Sequence, residues 1–436
     1  MKLLDRTIPP LQNPVTELQL PAPHMEKLDN GIPVYTLPNP QLDLIHILIH
    51  IRNGILHETQ KHLSQFTYAL LKESSRKHSA TEIADLLDFY GVHYTTSCGM
   101  DKNVITISVP RSNVSSILPV IYDLIAHPQY RKDRLDIYAN LKIKDLEYNS
   151  QKTDVRSTQL MLHAMFGDTL TAGQFSTREN LKAVTVAQMQ EYHQRTFCAE
   201  NLSLFITGNV DADMEQCIKD LFSQVPHGQA SKEIHDLPLP ADPIPLIREA
   251  MPDSVQSSIT LCCPNIGYLD ADRRGFSILA TITGGYFGSR LMQNLRERNG
   301  YTYGISAGSV YFGNQSLFII NSDVNATHTQ AAVDACFEEL QRLQEEPVGD
   351  EELETARNYI LGDMLRDVDN SVSYLKKYAY WNQHGLDERE FQSMIQAVKE
   401  TDAETLLSLA KKYFDYNKYT RIIVGDIRNL KQAAAQ

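Results

Sequence analysis

Residues 226–245, PHGQASKEIHDLPLPADPIP, decide how the chain is divided. Pro226, Pro238, Pro240, Pro243 and Pro245 stand there among Gly228, Ser231 and several charges, with no helical period. Proline fixes φ and removes a backbone donor, so the stretch reads as a linker and not as helix or sheet. It parts the 436 residues into two lengths of similar size, 1–225 and 246–436. Their ends repeat one another. Thr185 and Gln188 form a capping box, the helix runs to Phe197, and a strand from Leu202 to Thr207 stops at Gly208. Thr401 and Glu404 repeat the box, Tyr413 takes the place of Phe197, and a strand from Arg421 to Val424 stops at Gly425. The expected offset is 401 − 185 = 216 residues, and two copies of one plan related by duplication are expected.

Periodicity fills in each copy. Ile45, Ile47, Ile49 and Ile51 alternate with His46, Leu48 and His50, a strand pattern that puts both histidines at half-exposed positions. Helices are expected at about 61–73 and after the capping box of Ser79 and Glu82, the latter ending at Gly91. Strands near 93–97 and 104–109 precede a helix whose buried face is Val114, Ile117, Leu118, Ile121, Leu124 and Ile125, and then a long helical region from 131 to 165. The second copy runs in parallel, with strands 255–263, 303–311 and 316–324 and helices near 274–283, 289–298, 327–345 and 350–383. Hairpin-like strand pairs with grouped helices, without regular βαβ alternation, give an α+β class.

Composition narrows the function. A chain that is 42% hydrophobic and 22% charged is an ordinary globular protein. Lys plus Arg of 41 against Asp plus Glu of 54 gives −13, a field that repels nucleic-acid backbones and anionic membranes. No stretch approaches the roughly 20 apolar residues of a membrane span, and Met1 to Arg6 lacks the apolar core of an export signal. The six cysteines, Cys98, Cys198, Cys217, Cys262, Cys263 and Cys336, form no Cys-x-x-Cys pair, and Cys262 and Cys263 point to opposite strand faces. Reduced thiols in a cytoplasm are the expectation.

The most informative motif is residues 289–304, SRLMQNLRERNGYTYG, preceded by Gly284-Gly285-x-x-Gly288. No Lys-Ser/Thr follows the glycines, so a phosphate-binding P-loop is unsupported. Together with the order of elements from about Leu28 to Ile427, this segment resembles the pitrilysin/insulinase family of zinc metallopeptidases, including the mitochondrial processing peptidase type. The resemblance implies two homologous α/β-sandwich domains joined by the Pro-rich linker, enclosing with a second such pair a chamber for extended peptides. It implies that Arg296 and Tyr303, seven residues apart, meet substrate: the guanidinium on a peptide carbonyl, the phenol on the oxyanion of the tetrahedral intermediate.

Family members also carry His-x-x-Glu-His on a first-half helix. Two imidazoles at i and i+4 grip Zn²⁺ while the Glu activates its water, and a distal acid is the third ligand. Counting back from Gly91 puts the motif on Gln65-Phe66-Thr67-Tyr68-Ala69, where Gln65 and Ala69 replace the histidines and Tyr68 the Glu. The distal acid falls at Asp145 or Glu147. His57, Glu58 and His62 suggest a ligand cluster, but the i, i+5 spacing does not stack two rings, and surface polar residues are the expectation.

The resemblance therefore implies a zinc-free, Arg/Tyr-bearing subunit, inactive alone. Zinc is expected in a homologous partner with an intact motif, and the substrate is a peptide. Two alternatives stay open, a non-catalytic scaffold or peptide-binding protein of this fold and a self-sufficient peptidase with displaced ligands.

Overall fold

The computed structural model describes residues 7, 18–73, 75–232 and 237–428; the Met1–Arg6 stretch and part of the linker, residues 233–236, lie outside the described residues. The first half builds a six-stranded sheet from β1 (His24–Lys27), β2 (Pro33–Pro38), β3 (Leu44–Ile51), β4 (His93–Cys98), β5 (Asn103–Pro110) and β6 (Leu202–Gly208), in the order β1-β2-β6-β3-β5-β4. Its helices are α1 (Leu63–Ala69), α2 (Ala80–Phe89), α3 (Val114–Ala126), α4 (Lys132–Asn149), α5 (Thr153–Phe166), α6 (Arg178–Ala183), α7 (Val186–Thr196) and α8 (Ala212–Phe222). The second half builds a five-stranded sheet from β7 (Ile247–Ala250), β8 (Gln256–Asn265), β9 (Thr302–Phe312), β10 (Gln315–Asn325) and β11 (Thr420–Gly425), in the order β7-β11-β8-β10-β9. Its helices are α9 (Arg273–Ala280), α10 (Thr329–Glu345), α11 (Asp350–Asp367), α12 (Ser371–Gln383), α13 (Arg389–Glu400) and α14 (Ala403–Tyr413).

The two sheets share one topology. Strands β2 to β6 map in order onto β7 to β11, and in each copy the first and last of these pair parallel while the remaining pairs are antiparallel. The repeat offset is corrected from 216 to 217. Thr185 caps α7 with its box to Gln188 as expected, but the helix of the second copy is capped by Asp402, which accepts from the Thr405 amide at 2.8 Å, and not by Thr401. The equivalents are then Thr185 and Asp402, Phe197 and Phe414, and Gly208 and Gly425. Phe197 and Phe414 are both buried, and both glycines have positive φ where the strand leaves the sheet.

Several expected helices are shorter or broken. The 61–73 helix is one short α1 followed by a 3₁₀ turn at Leu71–Glu73. The region 131–165 is two helices with a break at Ser150–Lys152, and 350–383 breaks at Val368–Asn370. These matching breaks let the chain change layers. Helix α5 of the first half packs on β8 and β11 of the second, where the hydroxyls of Ser157 and Thr260 lie 2.8 Å apart and Arg156 donates through Nε and Nη2 to the two Glu249 oxygens at 2.6 and 2.8 Å. Its counterpart α12 packs on β6 of the first half, with Asn382 donating to the Tyr35 hydroxyl at 3.0 Å. Each half thus covers the other's sheet.

The exchange corrects the reading of β3. His46 is buried at 3% exposure, its Nδ1 lying 2.8 Å from the Ser108 hydroxyl, because α12 covers that face. His50 is half-buried against the Phe205 ring, with centroids 4.9 Å apart. The stripe of Val114 through Ile125 on α3 is buried as its period requires. Cys262 and Cys263 enter different core clusters on the two faces of β8, and all six cysteines are free thiols.

Candidate active site

The segment carrying Arg296 and Tyr303 is wound unlike its neighbours. After α9 the chain makes a π-helical turn at Thr281–Gly285, then a second π-helical stretch at Met292–Arg298. Such i→i+5 turns widen a helix and recur at functional sites. Within the first of them Gly284 is required by a close approach: a Cβ there would lie 2.7 Å from the Ala307 backbone nitrogen of β9. The stretch ends in a tight knot. Tyr301 N–H donates to the Leu295 carbonyl at 2.8 Å, Gly300 has φ 63°, and the Asn299 side chain donates to Asn294 Oδ1 at 2.6 Å. Asn294 in turn donates to the buried Glu339 at 2.6 Å.

β9 begins just after this knot, at the edge of its sheet. Thr302 pairs with Val324 and Ile305 with Ser322, so Tyr303 and Gly304 together oppose the single residue Asp323. This is a β-bulge, a device that re-aims a side chain. Thr302 fixes it by donating to the Asp323 carbonyl at 2.7 Å and accepting from the Gly304 amide at 3.0 Å. Tyr303 therefore points outward, 88% exposed. Arg296 lies on the preceding π stretch, its guanidinium 4.5 Å above the Phe287 ring and its Nε 3.5 Å from Glu297. That stacking holds the guanidinium's plane while leaving its N–H edges available.

The first-half helix is arranged differently. Gln65 and Ala69 are half-buried on α1, but Tyr68 is 1% exposed and turned toward α7, its hydroxyl 3.0 Å from that of Thr196. Burial drives its phenol well above 10. A base at position 68 would be sealed in the core. The rings that do share a face at i, i+4 are His62 and Phe66, with centroids 6.2 Å apart, and Phe66 meets Tyr138 of α4 edge-on at 5.0 Å. His62 sits at the helix N-cap with φ 72°, the one non-glycine residue with positive φ among the described residues. Burial, and then the nearby Lys61, hold its imidazole near 4, while hydrogen bonds with Gln65 and Asn180 act the other way. Its Nε2 is buried without a partner.

The acidic candidates on α4 are both engaged. Asp145 lies 3.1 Å from Lys142 Nζ, and Glu147 pairs with Arg178. His57 and Glu58 are half-buried, not surface residues. His57 accepts from the Gly54 amide at 3.2 Å, so its Nε2–H donates to the Lys232 carbonyl at 2.9 Å. Glu58 accepts from the Ser64 amide at 3.1 Å at the start of α1, and burial raises its carboxyl to about 7. One imidazole, an amide, a phenyl ring and the Lys142 ammonium do not fit Zn²⁺, which takes anionic or imidazole ligands. The pairing of His62 with Phe66 was missed in the sequence; its signal is the spacing of His62-x-x-Gln65-Phe66, which aligns with His-x-x-Glu-His.

Comparison with known proteins places this geometry. Residues 183–360, which include Arg296 and Tyr303, match the model described as Peptidase M16 inactive domain. A protein named an uncharacterized zinc protease in Rickettsia bellii is 22% identical over 412 residues, covering 92% of this chain and 97% of that one. A similarly named protein of Mycobacterium leprae is 19% identical, covering 86% and 84%. Among solved structures, a peptidase M16 inactive domain from Pseudomonas fluorescens superposes with a TM-score of 0.86 at 19% identity, covering 94% of this chain and all of that one. A protease from Helicobacter pylori gives 0.83 at 13% identity, covering 93% and 100%. The α+β fold is that of these proteins over nearly the whole length. The inactive-type domain match over residues 183–360 and the likeness to these proteins over nearly the whole length support a pitrilysin-type (M16) member, and no His-x-x-Glu-His stands anywhere in the sequence.

Proposed function

We propose that this chain is the zinc-free subunit of a heterodimeric metallopeptidase, lending Arg296 and Tyr303 to a peptide bond cleaved at zinc held by a homologous partner. The observation that carries the reading is Tyr303: a phenol fixed on a hydrogen-bonded bulge and aimed at empty space, 88% exposed. Ordering an aromatic hydroxyl where it touches nothing of its own chain makes sense if something else arrives there. In that complex the Arg296 N–H groups donate to a substrate carbonyl, and the Tyr303 hydroxyl donates to the oxyanion as it forms. The peptide chamber is built jointly, domains 1–225 and 246–436 with linker 226–245 forming this chain's share. The lost motif has the register His62, Gln65 and Phe66, on the α1 face that meets α4. Free thiols at all six cysteines favour a reducing compartment, the cytoplasm.

The isolated chain should carry no stoichiometric zinc by elemental analysis and cleave no peptide. Mixed with the zinc-bearing homologue, Tyr303→Phe should lower kcat by about 10²-fold with assembly unchanged by size-exclusion chromatography. Unchanged turnover would instead favour the scaffold reading.

A further inference from the structure

The two halves close around a cavity of about 380 Å³ that the Arg/Tyr segment does not use. Its floor is the first sheet, with His50 of β3 and Ser203 and Phe205 of β6, and its far wall is the end of α12, with Asn382 and His384. Two hairpin tips that occupy equivalent places in the repeat meet beside it. Asp101, between β4 and β5, accepts from the Gly313 amide, between β9 and β10, at 2.6 Å. The neighbouring Lys102 donates to the Gln383 side-chain oxygen. The contact between the halves thus holds Lys102 away from bulk water.

The lining leans cationic in a chain whose net charge is −13. Burial pulls the Lys102 ammonium down to about 8, with Asp101 acting the other way. His50 is held well below its ordinary value and His384 near 4, each by burial first and by Lys102 second. The carboxylates do not relieve this crowding fully. Glu200 at the rim is engaged by His227 at 2.9 Å and by the Gly228 amide at 2.8 Å, and Asp101 spends Oδ2 on Gly313. Asp101 Oδ1 is buried with no hydrogen-bond partner. An ammonium flanked by two imidazoles, beside an acceptor that lacks a donor, is a site waiting for a molecule with both an anion and a donor.

We propose that this cavity binds a small organic carboxylate, its anion received by Lys102 with His50 and His384 and its own hydroxyl or N–H received by Asp101 Oδ1. A monoanion matches the single ammonium at this depth, and the Gly313 N–H that would help cradle a phosphate is already taken by Asp101. Arg52 and Lys232 stand exposed at the mouth, where they draw anions inward.

Calorimetry reads occupancy directly; the chain's one tryptophan, Trp381, is buried against Phe391 just before the cavity residues of α12, and its fluorescence is a second readout. The full-length protein is titrated with lactate, hippurate and sodium phosphate at fixed ionic strength, by fluorescence and by calorimetry. Lactate or hippurate should bind saturably with Kd below about 10 mM, and Lys102→Gln should weaken binding about tenfold. Asn314→Asp, which keeps the acceptor for the Leu269 amide and adds a negative charge to the wall, should weaken it by about threefold or more without disturbing the fold. Lys132→Gln, far off on α4, should change nothing. No saturable binding by calorimetry, tighter binding of phosphate than of the carboxylates, or wild-type affinity in folded Lys102→Gln and Asn314→Asp would overturn the proposal.

Discussion

Two tyrosines show what decides a role at the scale of one residue. Tyr68 and Tyr303 are the same chemical group, yet one is sealed against Thr196 with its phenol pushed well above 10 and the other stands in solvent on a bulge. Glu58 makes the same point in measurable form. Its carboxyl rises from an ordinary 4.5 to about 7 because burial disfavours its charge more than the Ser64 amide favours it. The folded chain therefore binds a proton more tightly than the unfolded one, so this group's contribution to stability is present at low pH and is lost as pH rises through about 4.5 to 7. Glu58→Gln keeps an acceptor for Ser64 without the charge. Relative to wild type it should gain stability between pH 5 and pH 7.5, by up to about 3 kcal/mol, in urea unfolding midpoints. A gain equal at both pH values would remove the charge from the explanation.

At the scale of elements, capping boxes, glycine stops and strand alternation were legible in the sequence, since each depends on residues within a few positions. The box of Ser79 and Glu82 forms, and Gly91 follows α2 at φ 65°. The π-helical turns were not legible. Nothing local forbids an ordinary helix over 289–298; what widens it is the close passage of β9 and the anchoring of Asn294 on Glu339 from α10. Gly284 is the packing point between turn and strand. Gly284→Ala would set a methyl against Ala307 backbone, which cannot swing away as a long side chain can. It should cost about 2 kcal/mol of stability and lower the thermal midpoint. Gly304→Ala, where a Cβ meets nothing within 4 Å, is the matched control and should cost less. Equal losses would mean that chain flexibility and not crowding sets the penalty.

For the whole molecule, the exchange of α5 and α12 between sheets governs stability. Neither half completes its own core: Leu160, Met161, Met165 and Phe166 cluster with Cys262, Ile422 and Val424, while Leu37, Leu48 and Phe205 join the core of the second half. Calorimetry should therefore record one cooperative transition, with calorimetric and van't Hoff enthalpies in agreement. Two resolved transitions would show that the exchanged helices do not couple the halves. Burial across these cores also sets the response to acid. His46, His62, His193 and His384 are each held near 4, from an ordinary 6.5, chiefly by burial. The unfolded chain takes up their protons first, so stability should fall as pH drops from 6.5 toward 4, by several kcal/mol on the order of a unit or two per histidine. Glu58 opposes this with a single proton. A thermal midpoint that holds steady from pH 6.5 to 4.5 would contradict the burial of these imidazoles.

The sequence by itself determined the duplication, the α+β class, the face of each amphipathic helix and the seven-residue spacing of Arg296 and Tyr303, because all of these are written in local periods and local turns. The tertiary structure alone decided the crossing of α5 and α12 onto opposite sheets, the burial of His46 beneath α12, and the cavity around Lys102. Each of these depends on contacts between residues about a hundred or more positions apart, and the free energy of such contacts is set by which surfaces meet, a quantity that no window of sequence contains.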